Sequence, residues 1–111
     1  MCEEKIRAVV AQFAKEAKKI YGTVLRDVIL YGSCARGDFV NDSDIDIMIL
    51  LDVAQEEIGE ARKKILDVSD QIDLEYDVVL APVIQCWRLY NQYMSVSGFY
   101  QNVKREGIKI A

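Results

Sequence analysis

The stretch that most restricts what this chain can become is Asp44-Ile45-Asp46-Ile47-Met48-Ile49-Leu50-Leu51. It is rich in β-branched residues and reads as a strand from Asp44 to Leu51. Alternate side chains of a strand leave opposite faces. Asp44 and Asp46 therefore share one face, while Ile45, Ile47 and Ile49 point the other way into a core. Aspartate is disfavoured in strands. Two such neighbours repel by about 4 kcal/mol at a separation of about 4 Å and an effective dielectric of about 20. A cation between them removes that penalty, and clustered carboxylate oxygens select hard ions, Mg²⁺ or Mn²⁺, over zinc or copper.

The elements around this strand follow from periodicity. Ile6, Val10, Phe13, Ala17 and Ile20 recur in steps of four and three, which marks one face of a helix. Glu3 and Glu4 near its start and Lys15, Lys18 and Lys19 near its end suit the helix dipole, and Gly22 is a natural stop. A strand is expected from about Val24 to Tyr31. After the Asp44–Leu51 strand, Asp52 and Gln55 form a capping pattern for a helix with Ile58, Ala61, Ile65, Val68 and Ile72 on one stripe. A third strand is expected from about Leu74 to Leu80, closed by Pro82. Trp87, Tyr90 and Met94 suit one face of a further helix, and a short last helix is expected at about Phe99 to Arg105. The order α-β-(turn)-β-α-β-α implies an α/β (α+β) fold, a small mixed sheet of about three strands with helices packed on it. At 111 residues, one domain over 1–111 is expected.

Gly32 and Ser33 directly follow the first strand. If the second strand runs back beside it, Gly-Ser and Asp44 share one end of the sheet. Glycine admits a ligand close to the backbone. The segment Cys34-Ala35-Arg36 can open a short helix whose N–H groups face an anion. Ser33 adds a hydroxyl, and Arg36 a fork suited to phosphate oxygens. An anion cradle beside a divalent-metal pair suits a nucleoside triphosphate. The expected third strand would add an acid: Asp73, Glu75 and Asp77 fall on one face. Asp77, embedded in apolar sequence where an unpaired charge is costly, is the first choice and Glu75 the reserve. Cys34 is read as incidental.

Gly32-Ser33, ten residues (Cys34 to Ser43), then Asp44-x-Asp46, with Arg36-Gly37 inside and Ser43 before the acids, resembles the DNA polymerase β-type nucleotidyltransferase superfamily. The similarity is greatest to its minimal nucleotidyltransferases (MNT). It covers about Ile6 to Leu80, and the ending FYQNVKREGIKI is similar to the tail of such proteins. The resemblance implies two divalent ions, Mg²⁺ or alternatively Mn²⁺, held by Asp44, Asp46 and Asp77, which would be the catalytic acids. It also implies an ATP or other NTP substrate held at Gly32, Ser33, Arg36 and Ser43, and transfer of a nucleotidyl group with release of pyrophosphate. Minimal members resemble the antitoxin of two-gene modules with an all-helical HEPN toxin, which implies transfer of AMP to a tyrosine hydroxyl of that partner. The alternatives are a non-catalytic binding antitoxin of the same fold, or transfer to a small-molecule acceptor in a cleft between subunits of a homo-oligomer.

Composition excludes other classes. There is no histidine, so no imidazole base and no His-bearing zinc site. Fourteen Lys and Arg against eighteen Asp and Glu leave a net charge of −4, which argues against broad nucleic-acid binding. Three cysteines without CxxC spacing suggest a reducing compartment. With no signal-like N-terminus and no membrane-length apolar run, a cytoplasmic location is expected. Residues 85–101 hold Trp87, Tyr90, Tyr93, Phe99 and Tyr100; any that a small core leaves exposed would suit a partner.

Overall fold

In a computed structural model, residues 1–110 are described. The first helix, α1 (Glu3–Tyr21), buries Ile6, Val10, Phe13 and Ala17 as the spacing predicts. Gly22 ends it at φ 58°, a conformation that costs glycine little. The chain then enters β1 (Leu25–Tyr31), a one-turn helix α2 (Ser33–Arg36) and β2 (Ile45–Leu51). Helix α3 (Ile58–Tyr76), β3 (Leu80–Cys86), α4 (Trp87–Gln92), α5 (Gly98–Glu106) and a two-residue β4 (Ile108–Lys109) complete it.

The strand order is β3-β2-β1-β4. β1 runs antiparallel to β2, with Tyr31 opposite Asp46 and Leu25 opposite Leu51. β2 and β3 are parallel, Ile45 level with Leu80 and Asp46 with Ala81. β4 adds to the free edge of β1. The mixed sheet with packed helices is the expected fold, with one strand more than the sequence suggests.

Both faces of the sheet are covered, which explains why β2 is apolar at every position after Asp46. Ile45, Ile47, Ile49 and Leu51 pack with Val10 and Phe13 of α1 and Ile65 and Ile72 of α3. Met48 and Leu50 pack on the other side with Ile29, Tyr90 and Val103, under α4 and α5. Asp46 has the parity of Met48 and Leu50. It therefore lies on the α4/α5 face, half-buried near the start of β2.

Three expectations are corrected. The segment placed in a third strand, Leu74 to Leu80, is mostly helix: α3 continues to Tyr76, and the strand begins at Leu80. Helical spacing continues through Ile65, Ser69 and Ile72, all buried, while Leu74 is 86% exposed. The alternation of DLEYD imitates a strand, but on the helix the apolar Leu74 faces solvent and Asp73 turns inward to accept the Leu80 N–H. Pro82 does not close β3 but lies inside it, tolerated because β3 is an edge strand with a neighbour on one side only. Finally, Asp52 does not cap the helix. Its carboxylate pairs with Arg26 (3.0 Å) and Arg88 (2.9 Å), and a short 3₁₀ turn, Gln55–Glu57, leads into α3.

A stability comparison checks this assignment. Ile47→Ala should cost about 2–5 kcal/mol in denaturant unfolding, as for a fully buried isoleucine. Leu74→Ala should stay within about 0.5 kcal/mol, as for an exposed helical residue. A large loss at Leu74 would restore the strand.

Candidate active site

The site starts from the antiparallel register, which brings the end of β1 to the beginning of β2. Gly32, just past β1, turns at φ 73°. A Cβ at this position would collide with the Asp46 carboxylate, so only glycine lets that side chain lie over the backbone. The Gly32 carbonyl accepts the N–H groups of Ala35 and Arg36 (both 3.1 Å), and the Gly37 N–H donates to Ser33 O (2.9 Å), closing the single turn of α2. Ser33 and Cys34 lead that turn, so their N–H groups have no acceptor within it.

Asp46 is half-buried and Asp44 exposed. Burial, and secondly the charge of Asp44, push the Asp46 carboxyl above its ordinary value; the Arg36 charge pulls the other way. Tyr31, opposite Asp46, is pushed up to about 12, by burial and then by the Asp46 charge. The Arg36 guanidinium donates from Nε to Asp38 Oδ2 and from Nη1 to Glu106 Oε2, each at 3.2 Å. Phe99 of α5 stands edge-on to Tyr31, ring centres 5.7 Å apart. A pair of like charges, one of them half-buried, a glycine corner and an arginine fork thus meet at one end of the sheet.

A family model described as a nucleotidyltransferase domain matches residues 10–108. The chain belongs to that family. Two proteins of Methanocaldococcus jannaschii, each named "Putative protein adenylyltransferase", are 32% and 34% identical to it over 105 and 107 residues. The alignments cover 91% and 96% of this chain and 98% and 96% of those proteins. Among solved structures, a toxin–antitoxin with AMP-PNP and a mutant of the toxin–antitoxin MntA–HpeT share the fold. Each has a TM-score of 0.55, at 18% and 16% identity, over 91% of this chain and 72% of theirs.

The nucleotidyltransferase motif can now be compared with the geometry residue by residue. Gly32, Ser33, Arg36, Asp44 and Asp46 lie at the same end of the sheet. Ser43 precedes Asp44, but its Oγ accepts the Val40 N–H (2.9 Å) and its N–H donates to Val40 O (3.0 Å). That hydroxyl closes the loop into β2 and so fixes where Asp44 begins. Cys34 faces the core and its thiol donates to Asp44 O at 3.6 Å; burial pushes the thiol up, which makes it a poor nucleophile.

The third acid is where sequence and structure part. Asp77 is not on a strand: it caps the end of α3 at φ 54°, exposed, and borders a cleft with Lys5, Asp42 and Ser43. Glu75 is exposed on α3. Asp73 accepts the Leu80 N–H (2.8 Å) and so ties α3 to β3; burial raises it first, and the Asp44 charge contributes. On β3 the residue level with Asp46 is Ala81. Among the described residues no three acidic or thiol side chains gather closely enough to hold an ion together. The pair Asp44/Asp46 nevertheless fits Mg²⁺, which characteristically takes one or two carboxylates and completes its shell with water and substrate phosphates. The half-buried Asp46 carboxylate beside Asp44, which Arg36 only partly offsets, and the glycine cradle under it are the features that fit such an ion.

Sequence reading missed Glu106 and Tyr31, and named Phe99 only among the aromatics that would suit a partner if exposed. Tyr31 could have been found from strand parity, since residues 27, 29 and 31 share a face. Glu106 carries no local signal, being 70 residues from Arg36.

Two tests follow from this geometry. Gly32→Ala puts a Cβ into the Asp46 carboxylate at a positive φ, and should destabilise the fold by about 1 kcal/mol or more in urea unfolding. Because its value is raised on folding, Asp46 lowers stability as pH rises through that value, and contributes nothing once both states are protonated. Without divalent ions, Asp46→Asn should therefore melt higher than wild type at neutral pH. The gap should close below about pH 3, under the unfolded aspartate value of about 3.9. A wild type at least as stable at neutral pH would contradict this electrostatic account.

Proposed function

We propose that this nucleotidyltransferase moves AMP from ATP to a hydroxyl of a protein partner, and that the partner is a small helical HEPN-type toxin which the transfer disarms. The observation that supports this most directly is the half-buried Asp46, repelled by Asp44 and laid over Gly32 beside an arginine fork. Asp44 and Asp46 hold Mg²⁺ (or Mn²⁺), and Gly32 and Ser33 offer backbone and hydroxyl donors to the triphosphate. Arg36 steadies its outer phosphates. A bound Mg²⁺ supplies Lewis-acid stabilisation of the attacking and leaving oxygens. The acceptor oxygen bonds to the α-phosphorus, the bond to the bridging oxygen breaks, and pyrophosphate leaves. The acceptor proton passes to solvent or to a carboxylate of the pair.

The partner comes from the same observations read outward. Tyr93, Val96 and Phe99, on and around the α4–α5 connection, are exposed apolar residues, and Phe99 touches Tyr31 beside Asp46. A protein seated there would present its hydroxyl next to the carboxylates. The toxin–antitoxin structures that share the fold, one with AMP-PNP, and the names of the M. jannaschii relatives point the same way.

One observation favours a second reading. With Ala81 level with Asp46, β3 supplies no acid to the pair. A chain that neutralises its partner by covering it needs none.

One experiment separates the two. The protein is incubated with Mg²⁺, ATP labelled at the α-phosphate and the product of the adjacent gene. Label should appear on the partner, and Asp44→Asn with Asp46→Asn should lower it by roughly 10²-fold or more while circular dichroism stays unchanged. Neutralisation that survives the double substitution, with no label transferred from any NTP, would establish the covering mode instead.

A further inference from the structure

Arg36 lies on a helix of one turn and its side chain is 42% exposed. Left to itself, such an arginine samples many rotamers, and a phosphate must pay to order it. Here the fork is held from two sides. Asp38, two residues along the same loop, takes Nε. Glu106, the last residue of α5, takes Nη1. An arginine has five N–H donors. Two are engaged, and both donors of Nη2 have no partner among the described residues.

The two carboxylates are not equivalent. Asp38 is 62% exposed and lies two residues past Arg36 in the chain, whereas Glu106 is 29% exposed and comes from across the molecule. Its backbone is fixed. The next residue, Gly107, donates its N–H to Val103 O at 2.8 Å, and a Cβ on it would collide with that carbonyl and with the Ile29 side chain. Ile108 and Lys109 then pair with Leu30 and Ile29 of β1. Glu106 is thereby clamped to the strand that ends in Tyr31, and so holds a fixed place relative to Asp46.

We propose that Glu106 is a positioning residue for the nucleotide: from its fixed place on β1 it sets the Arg36 guanidinium so that the unengaged N–H groups meet the outer phosphates of ATP. The proposal rests on the nucleotide-binding reading of the site. It does not make Glu106 a ligand of metal or substrate, and it adds a role for the C-terminal segment, which closes the phosphate side of the site.

The test compares ATP and AMP, each with Mg²⁺, by titration calorimetry. Glu106→Ala should weaken ATP binding by roughly two- to five-fold, the range of an exposed ion pair, and leave AMP binding and the melting temperature unchanged. Glu106→Gln keeps an acceptor for Nη1 and should fall between the two proteins. In an Arg36→Ala background, Glu106→Ala should have no further effect on ATP. Unchanged or tighter ATP binding by Glu106→Ala, equal losses for ATP and AMP, or an undiminished effect without Arg36 would each overturn the proposal. If Glu106→Ala does not fold, the same comparison is decided on Glu106→Gln. Failure of the wild type to bind ATP at all would instead remove the nucleotide reading, and this proposal with it.

Discussion

Asp46 is held half-buried over the Gly32 backbone by the pairing of β1 with β2, and a carboxylate kept there beside Asp44 is an electrostatic liability. The nearby Arg36 charge offsets it only in part. The pairing is enforced from elsewhere: Ile45, Ile47 and Ile49 are fully buried against α1 and α3, and a one-residue slip of β2 would turn all of them to the opposite face. The core thus holds the carboxylates in place against their mutual repulsion. Hydrophobic packing stabilises the strand, and the strand imposes the geometry that a cation would then relieve.

How much of this was legible in the chain depended on whether the signal was local. The Asp-x-Asp alternation, the stripe of α1 and the Gly32–Ser33 corner each lie within a few residues; the structure has the stripe and the corner as read, and begins β2 one residue later than expected, at Ile45. The β1–β2 pairing also followed, because a short connection leaves an antiparallel return as the simple solution. The third strand was misplaced because a short window of alternation does not exclude a helix: Asp73, Glu75 and Asp77 alternate with apolar residues, yet Asp73 and Glu75 lie on α3 and Asp77 caps it. The better signal was the continuous apolar run from Val78 to Ile84, which suits a strand in a parallel pair better than alternation does. Asp77 was chosen because it borders that run, and the same border is what makes it a helix cap.

Glu106 was illegible for a different reason. Its role depends on a contact spanning 70 residues and on Gly107 fitting against Ile29, neither of which leaves a periodic trace. Long-range ion pairs at the surface are decided by where two independent elements happen to meet. β4 shares this property, since two residues are too few to announce a strand, yet they fix the end of α5 to the edge of β1.

The charges around the site set an order of events for any polyphosphate. Arg36 stands among Asp38, Asp44, Asp46 and Glu106, and Glu106 also meets Arg105 at 3.8 Å. A bare triphosphate approaching this end of the sheet meets carboxylates in excess, at separations shorter than the screening length of about 8 Å in physiological salt. The free N–H groups of Arg36 and of the α2 turn do not offset that excess. A triphosphate carrying its own divalent ion would meet a different site, because the ion would turn Asp44 and Asp46 from repulsive into attractive groups. The same acidic surround disfavours a nucleic-acid backbone, which brings no single concentrated cation. On the proposed reading, the acid at this end of the sheet would favour a metal-loaded polyphosphate over other polyanions, through the carboxylate pair that the β2 core forces together.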